Sequence, residues 1–373
     1  MSKEHDVSAI ACQFQIDGEF AGATTHGSGH INDSYCVTFH QAGMPMRYVL
    51  QRINHSIFKN PPALMENIQR VTSHLAAKMS GEPDRSRLAL TLIRARDEQA
   101  WHVDADGSYW RMYRFIENAH TFDAVQSTDQ AFQAAKAFGR FQKLLVDLPA
   151  PRLHDTIKDF HDTPKRFVAL EQAIASDVAG RAILAKPEIE FAFAHQSITR
   201  VLIDASLPER ITHNDTKFNN IMLDDVTGEG ICVIDLDTVM PGLALHDFGD
   251  MVRTATSPAN EDEQDLSKVT MQFSMFEVLV RGYLTSADFL TKAEKQHLVC
   301  SGKLMTFEQG IRFLTDYLQG DAYYKVSCGE HNLHRCRTQF KLVESIEQQE
   351  ERMDRLVQSI ERPSLSSLDL LIQ

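Results

Sequence analysis

The segment from Ile211 to Arg253 constrains this chain more than any other. It reads ITHNDTKFNNIMLDDVTGEGICVIDLDTVMPGLALHDFGDMVR. Asn220 follows Asp215 by five residues, and Asp235 follows it by 20, after the apolar run Ile231-Cys232-Val233-Ile234. A lone H-x-D is common, and a lone Asp after apolar residues usually ends a strand or caps a helix. The combination is less easily accidental, because it puts a carboxylate and an amide oxygen on one loop and a second carboxylate at the end of the next strand. Phosphoryl transfer from a nucleotide needs such a set. One carboxylate orients and deprotonates the acceptor hydroxyl, and hard oxygen ligands hold magnesium at a fixed spacing from it.

The segment resembles the catalytic core of the aminoglycoside phosphotransferase and choline kinase-like superfamily, relatives of the protein kinases. The runs THNDTKFNNI, VIDLDTVMPG and DFGDMVR are most similar to those of the N-acetylhexosamine 1-kinases. So are GSGHIN near the N-terminus, HDTPKRF in the middle and RFLTDYLQGD towards the C-terminus, so the similarity spans most of the chain. The resemblance implies an α+β, two-lobed protein-kinase-like fold, with a small β-rich N-terminal lobe and a larger, mainly helical C-terminal lobe. It also implies transfer of the γ-phosphate of magnesium-bound ATP to the anomeric hydroxyl of an N-acetylhexosamine.

Local patterns place the parts. From Glu19 the chain reads as strands at 20–26, 34–40 and 46–53, with Gly27-Ser28-Gly29-His30-Ile31-Asn32 between the first two. Two glycines around a small residue let backbone amides approach phosphate oxygens closely. A G-x-G hairpin alone is more often just a turn. Ahead of a kinase-type core, Gly27, Ser28 and Gly29 are assigned to the nucleotide phosphates. The third strand carries Gln51 and Arg52 where a kinase places its phosphate-binding lysine. Only one of the two can face a cleft, and Arg52 is taken as the cation. Pro61 and Pro62 suit a helix start. A strand is expected over 88–93, and a hairpin closes on Asp104-Ala105-Asp106-Gly107. Tyr113 to Glu117 reads as the hinge that holds the base, with Glu117 a nucleotide contact, which divides the chain into lobes 1–117 and 118–373. Beyond it, Ser127 to Gln130 reads as a capping box, and one helix is expected over 187–206. His161-Asp162 reads as structural, since neighbours in a turn seldom form an acid–base pair.

Within the core, Asp215 is assigned as catalytic base and Lys217 as the loop cation that stabilises charge on the moving phosphoryl group. Asn220 and Asp235 are assigned as magnesium ligands, and Asp237 as a secondary metal or turn residue on the same face if the strand persists. His213 is read as bracing the loop. Asp247 and Asp250, with Arg253, read as a helix start whose carboxylates anchor it. The resemblance further implies that His30, Arg312 and Tyr323 reach the sugar, alongside Asp215 and Asn220. An arginine near the acceptor suits a neutral polyhydroxylated ligand with an acetamido carbonyl. It suits choline or a polycationic aminoglycoside poorly.

Charge limits the partners. With 38 basic against 51 acidic residues the chain carries −13, which argues against nucleic-acid or anionic-membrane binding. Nucleotide and a small-molecule sugar are the expected partners. Six cysteines without metal-type pairing read as reduced thiols. No apolar leader or long apolar run is seen, and the cytoplasm is the expected compartment. Two other readings stay open: the same fold acting on an aminoglycoside, homoserine, choline or another sugar, and a nucleotide-binding pseudokinase, given the absent strand lysine. The preferred hexosamine and the oligomeric state stay open as well.

Overall fold

The computed structural model describes residues 5–27 and 31–361. Its strands are β1 (Glu19–Thr25), β2 (Asp33–Gln41), β3 (Met44–Ile53), β4 (Leu92–Ile93), β5 (His102–Val103), β6 (Tyr109–Arg114), β7 (Ala119–His120), β8 (Arg210–Thr212), β9 (Ile221–Asp224), β10 (Gly230–Val233) and β11 (Met240–Gly242). The helices are α1 (Val7–Ala11), α2 (Pro61–Lys78), α3 (Thr128–Leu145), α4 (Thr163–Ser176), α5 (Lys186–Ala194), α6 (Val201–Asp204), α7 (Ala244–Ala255), α8 (Phe273–Ser286), α9 (Lys292–Gln296), α10 (Leu298–Leu318), α11 (His331–Glu347) and α12 (Glu350–Glu361). The result is a mixed α+β protein, sheet-rich at the N-terminal end and helical towards the C-terminal end.

The chain packs as two compact units. The first is the chain up to His120 together with Asp147–Lys158 and Met222–Pro241. The second is Thr121–Val146, Asp159–Ile221 and the chain from Gly242 on. The stretch holding Asp235 and Asp237 therefore packs with the large sheet, although it follows Asp215 in sequence.

In the first unit an antiparallel sheet runs β1-β2-β3-β6-β4, with β5 beside β6. Alternation builds it: Val37 and Phe39 of β2 and Tyr48 and Leu50 of β3 point into one core with Trp110 and Met112 of β6, closed by Ile10 and Phe14. The β2–β3 hairpin turns on Ala42 and Gly43, both at positive φ (49° and 81°), the geometry of a two-residue turn matched to strand twist. Asp104 closes the next hairpin by accepting the N–H groups of Asp106 and Ser108. The strand expected over 88–93 shrinks to Leu92–Ile93. Just before it, Arg87 is held instead by the carbonyls of Glu117 and Asn118 and by Asp224, in place of a ladder.

The second unit is helical. Ser127 caps α3 by accepting the N–H of Gln130, but the Gln130 side chain bonds the N–H of Gln126, so the reciprocal half of the capping box is shifted by one residue. The single helix expected over 187–206 is broken. α5 ends at Ala194, a 3-10 stretch covers Gln196–Arg200, and α6 resumes at Val201. The Thr199 hydroxyl bonds the Gln196 carbonyl, the local competition by which hydroxyl side chains interrupt helices. α7 is buried around nearly its whole circumference. Among the described residues no helix is long and apolar enough to cross a membrane.

Helices α3 and α8 meet backbone to backbone through two glycines. A Cβ on Gly139 would lie 2.8 Å from the Tyr283 carbonyl oxygen, and one on Gly282 would lie 2.4 Å from that of Phe132. Helix propensity alone would favour Gly282→Ala by about 1 kcal/mol. A net loss of about 1–3 kcal/mol, read as a lower urea midpoint at unchanged slope, is the expected outcome instead, because a backbone carbonyl cannot rotate away.

Candidate active site

The loop after β8 is built around one carboxylate. Asp247, fully buried in the first turn of α7, accepts the N–H of His213 through Oδ2 at 2.8 Å and that of Asn214 through Oδ1 at 2.7 Å. Gln142 of α3 donates to the same Oδ2 at 2.6 Å, and the Thr216 hydroxyl donates to the Asp247 carbonyl. Burial pushes the Asp247 carboxyl up, only partly countered by His213 and these donors. His213 is wedged among aromatic rings, 5.4 Å from that of Phe138 and 6.0 Å from that of Phe141. Asn214 sits in the left-handed region at φ 64°, a conformation that Asn tolerates better than most residues.

Asp215 emerges from this braced turn partly buried. Burial raises its carboxyl, but the Lys217 ammonium 2.8 Å away, with His213 and Arg253, outweighs that and holds it below the ordinary aspartate value. It is therefore an anion, suited to accept a hydrogen bond from a hydroxyl. Asn220 is buried, and its Nδ2 donates to the Asp215 carbonyl at 2.8 Å and to Asp215 Oδ2 at 3.3 Å. Both partners are acceptors, which sets the amide's orientation. Oδ1 is then the oxygen left to Asn220, a hard donor of the kind magnesium takes. Asp250 hydrogen-bonds Arg253 at 2.8 Å and not the loop backbone, and it acts on the loop through its charge on Lys217; Arg253 also meets Glu261.

A polar cluster lies in the same unit. His161 meets Glu308 of α10, and Thr163 donates to the other Glu308 oxygen. Arg312, one turn further along α10, has its guanidinium carbon 5.4 Å from the ring centre of Phe160 and 5.9 Å from that of Tyr324. Arg166 donates to the Phe160 carbonyl, and its pKa is lowered by burial and by the Arg312 charge. Tyr323 is largely exposed. Its turn is tied down by Asp316, which accepts the N–H groups of Tyr323 and Tyr324. Arg253 acts electrostatically on both Asp215 and Arg312, so these two share one electrostatic neighbourhood.

In the first unit, β10 stops at Val233, and Asp235 turns left-handed (φ 56°, ψ 60°) into a 3-10 turn, Leu236–Thr238. The strand does not persist, so Asp235 and Asp237 part: the first is exposed, the second buried. Asp237 pairs with Arg111 of β6 and accepts from Asn32 at 2.6 Å, and Arg111 also donates to Gln51 at 3.0 Å. Arg52 faces elsewhere and pairs with Asp33, its register partner on β2. Glu117 pairs with Arg47, and its carbonyl accepts from Arg87. Gly27 is at φ 78°. Ser28, Gly29 and His30 lie outside the described residues.

Three residues of these networks escaped the sequence reading: Arg111, Glu308 and Gln142. Two of them had a visible signal. Arg111 interrupts the strand-like YWRMYR, and Glu308 falls between Leu304 and Ile311 on the apolar stripe of α10, positions where a polar residue must find a buried partner.

The second unit thus presents an ionised carboxylate on a braced loop, and the first carries an acidic turn of its own. Residues 22–273, more than half of the chain, match the model of the APH phosphotransferase enzyme family, and the chain belongs to that family. It is a small-molecule phosphotransferase. An aminoglycoside phosphotransferase structure from Alicyclobacillus acidocaldarius aligns with a TM-score of 0.63 at 10% identity, over 96% of this chain and 98% of that one. A microcompartment-associated aminopropanol kinase gives 0.56 at 15% identity, over 93% and 97%. An ethanolamine kinase from Plasmodium vivax gives 0.53 at 14% identity, over 84% and 80%. Likeness at such identities establishes the fold.

Asp247→Asn removes a charged acceptor from two loop amides. Turnover should fall about a hundredfold in a protein that remains folded by circular dichroism, since sub-ångström placement carries that much rate. Glu308 generates a pH dependence. Burial opposes its ionisation, but His161 and Arg312 hold its carboxyl down to about 2. A depressed folded value means that the unfolded chain binds the proton more tightly. Its stabilisation is complete above the ordinary 4.5 and is lost as pH falls towards about 2. Unfolding free energies measured across that window should drop in the wild type and drop less in Glu308→Gln.

Proposed function

We propose that this chain transfers the γ-phosphate of ATP to the anomeric hydroxyl of an N-acetylhexosamine, giving the sugar 1-phosphate. The observation that carries the choice of acceptor is Arg312. Its guanidinium covers the faces of Phe160 and Tyr324, with Arg166 close by. Glu308, a buried anion that acts on it, is engaged by His161 and Thr163. A cationic amine would find its aromatic faces occupied and positive charge in excess, whereas a neutral sugar with an acetamido carbonyl would find donors. The resemblance of THNDTKFNNI and RFLTDYLQGD to hexosamine kinases supports the same acceptor.

In this reading Asp215 accepts a hydrogen bond from the anomeric hydroxyl and aligns it for in-line attack. The new O–P bond forms as the bond from the γ-phosphorus to the bridging oxygen breaks. ADP departs, and the hydroxyl proton passes to Asp215 late, so a weakly basic carboxylate suffices. Lys217 keeps Asp215 ionised and sets positive charge beside the transferring group. Asn220 Oδ1 and the Asp235 carboxylate are the proposed magnesium ligands, and a bound ion would supply charge neutralisation for the nucleotide phosphates. His30, Arg312 and Tyr323 are the proposed sugar contacts. Gly27, Ser28, Gly29 and Glu117 are the proposed nucleotide contacts, while Arg52, engaged by Asp33, is left out of the set.

Turnover with ATP and magnesium on N-acetylglucosamine, N-acetylgalactosamine, galactose, choline, ethanolamine, homoserine and kanamycin tests this, with phosphorus NMR of the product. An anomeric phosphate from an N-acetylhexosamine is expected, reduced about 10²–10⁴-fold by Asp215→Asn. Turnover of an amino alcohol alone would sink the sugar assignment and leave the phosphotransferase standing.

A further inference from the structure

His161 touches the loop that carries Asp215 from a direction Asp247 does not. Asp247 holds amide hydrogens, while His161 Nε2 lies 3.2 Å from the carbonyl oxygen of Asn214. That oxygen belongs to the peptide joining Asn214 to Asp215, so a bond to it sets the plane from which the Asp215 side chain departs. The other ring nitrogen, Nδ1, lies 2.7 Å from Glu308 Oε1.

Both of these partners are oxygen acceptors. A carbonyl has no hydrogen to give. Glu308 is ionised, because His161 faces one of its oxygens and the Thr163 hydroxyl donates to the other at 2.5 Å. Each ring nitrogen of His161 therefore has to carry a hydrogen. The pair is an imidazolium against a carboxylate, with side chains 7% and 1% exposed. Few groups can disturb it. Phe160 packs on the ring with centres 4.5 Å apart, and His246 does so at 5.0 Å. Burial drives the His246 imidazole down to about 3, so it stays neutral and does not compete for Glu308. Arg312 adds positive charge that also favours the Glu308 carboxylate.

We infer that His161, oriented by Glu308, is a positioning residue that fixes the Asn214–Asp215 peptide and thereby the direction of the Asp215 carboxylate. This rests on Asp215 being the residue that faces the acceptor. A charge-assisted donor is both shorter and stronger than a neutral one. The buried pair also keeps water from replacing the ring at the Asn214 carbonyl, since Asn214 itself is buried. Glu308 has no contact with the loop in this scheme; it acts through the ring.

Three variants and one spectroscopic readout test the inference. His161→Leu removes the donor, and kcat should fall about ten- to a hundredfold with KM for ATP unchanged. His161→Gln keeps an amide N–H able to reach the Asn214 carbonyl and should recover most of that loss. Glu308→Gln can donate to Nδ1, which leaves the hydrogen on Nε2 but removes the charge assistance, and should lower kcat by less than His161→Leu does. Nitrogen-15 NMR of histidine-labelled protein, with His161 assigned by its disappearance in His161→Gln, should show both ring nitrogens protonated in the wild type and only Nε2 in Glu308→Gln. A His161→Leu protein that melts lower but keeps its kcat per folded molecule would reduce the residue to packing and overturn the inference. So would a Gln variant no better than Leu, or a wild-type ring whose Nε2 lacks hydrogen. A wild type that phosphorylates no acceptor would count against the proposed activity instead, and the nitrogen shifts would then decide the clamp on their own.

Discussion

The buried carboxylate of Asp247 is the interaction on which the second unit's loop depends. It is held by two backbone N–H groups and the Gln142 amide. Hydrogen bonds of this kind are what allow an ionised group to stay inside a protein. Burial still pushes its pKa upward, so ionising it opposes folding as pH rises. Local stability is given up to hold a loop in one conformation, as expected where placement of a reacting group matters more than stability. The left-handed Asn214 is tolerable for the same reason, since the bonds on both sides of it overdetermine the turn.

The same logic recurs in the buried ion pairs. Arg111 with Asp237, Arg253 with Asp250 and His161 with Glu308 each place charge where apolar residues would fold as well or better. Such pairs are weak evidence for stability and better evidence for a required geometry. Arg111 and Asp237 tie β6, the turn after Asp235 and, through Asn32, the end of the glycine-containing loop into one network within the first unit. That network sits on the face of the sheet where the sequence offers Gln51, whereas Arg52 spends its charge on Asp33 at the partly exposed edge.

Much of the architecture was legible in the sequence because its causes are local. Period-two alternation located β1 to β3, paired prolines located the start of α2, and Ser127 located that of α3. The spacing of Asp215, Asn220 and Asp235 pointed to the phosphotransferase class that the family match gives, because the loop and strand that carry them are short and contiguous. Segments of mixed preference read less well. The stretch 187–206 broke where hydroxyl side chains bond their own backbone, and 88–93 was held by Arg87 and not by a ladder.

Residue types, periodicity and loop spacing were thus set by the chain alone, since they depend on neighbours a few positions apart. Which charge meets which was decided only in three dimensions. Arg111 finds Asp237 across 126 positions, and His161 finds Glu308 across 147. Asp250 bonds Arg253 and acts on the loop only through its charge on Lys217, while Asp247, one helical turn earlier, bonds the loop amides directly. Nothing in one-dimensional order distinguishes those two aspartates. The direction each side chain takes from a helix buried on all sides does.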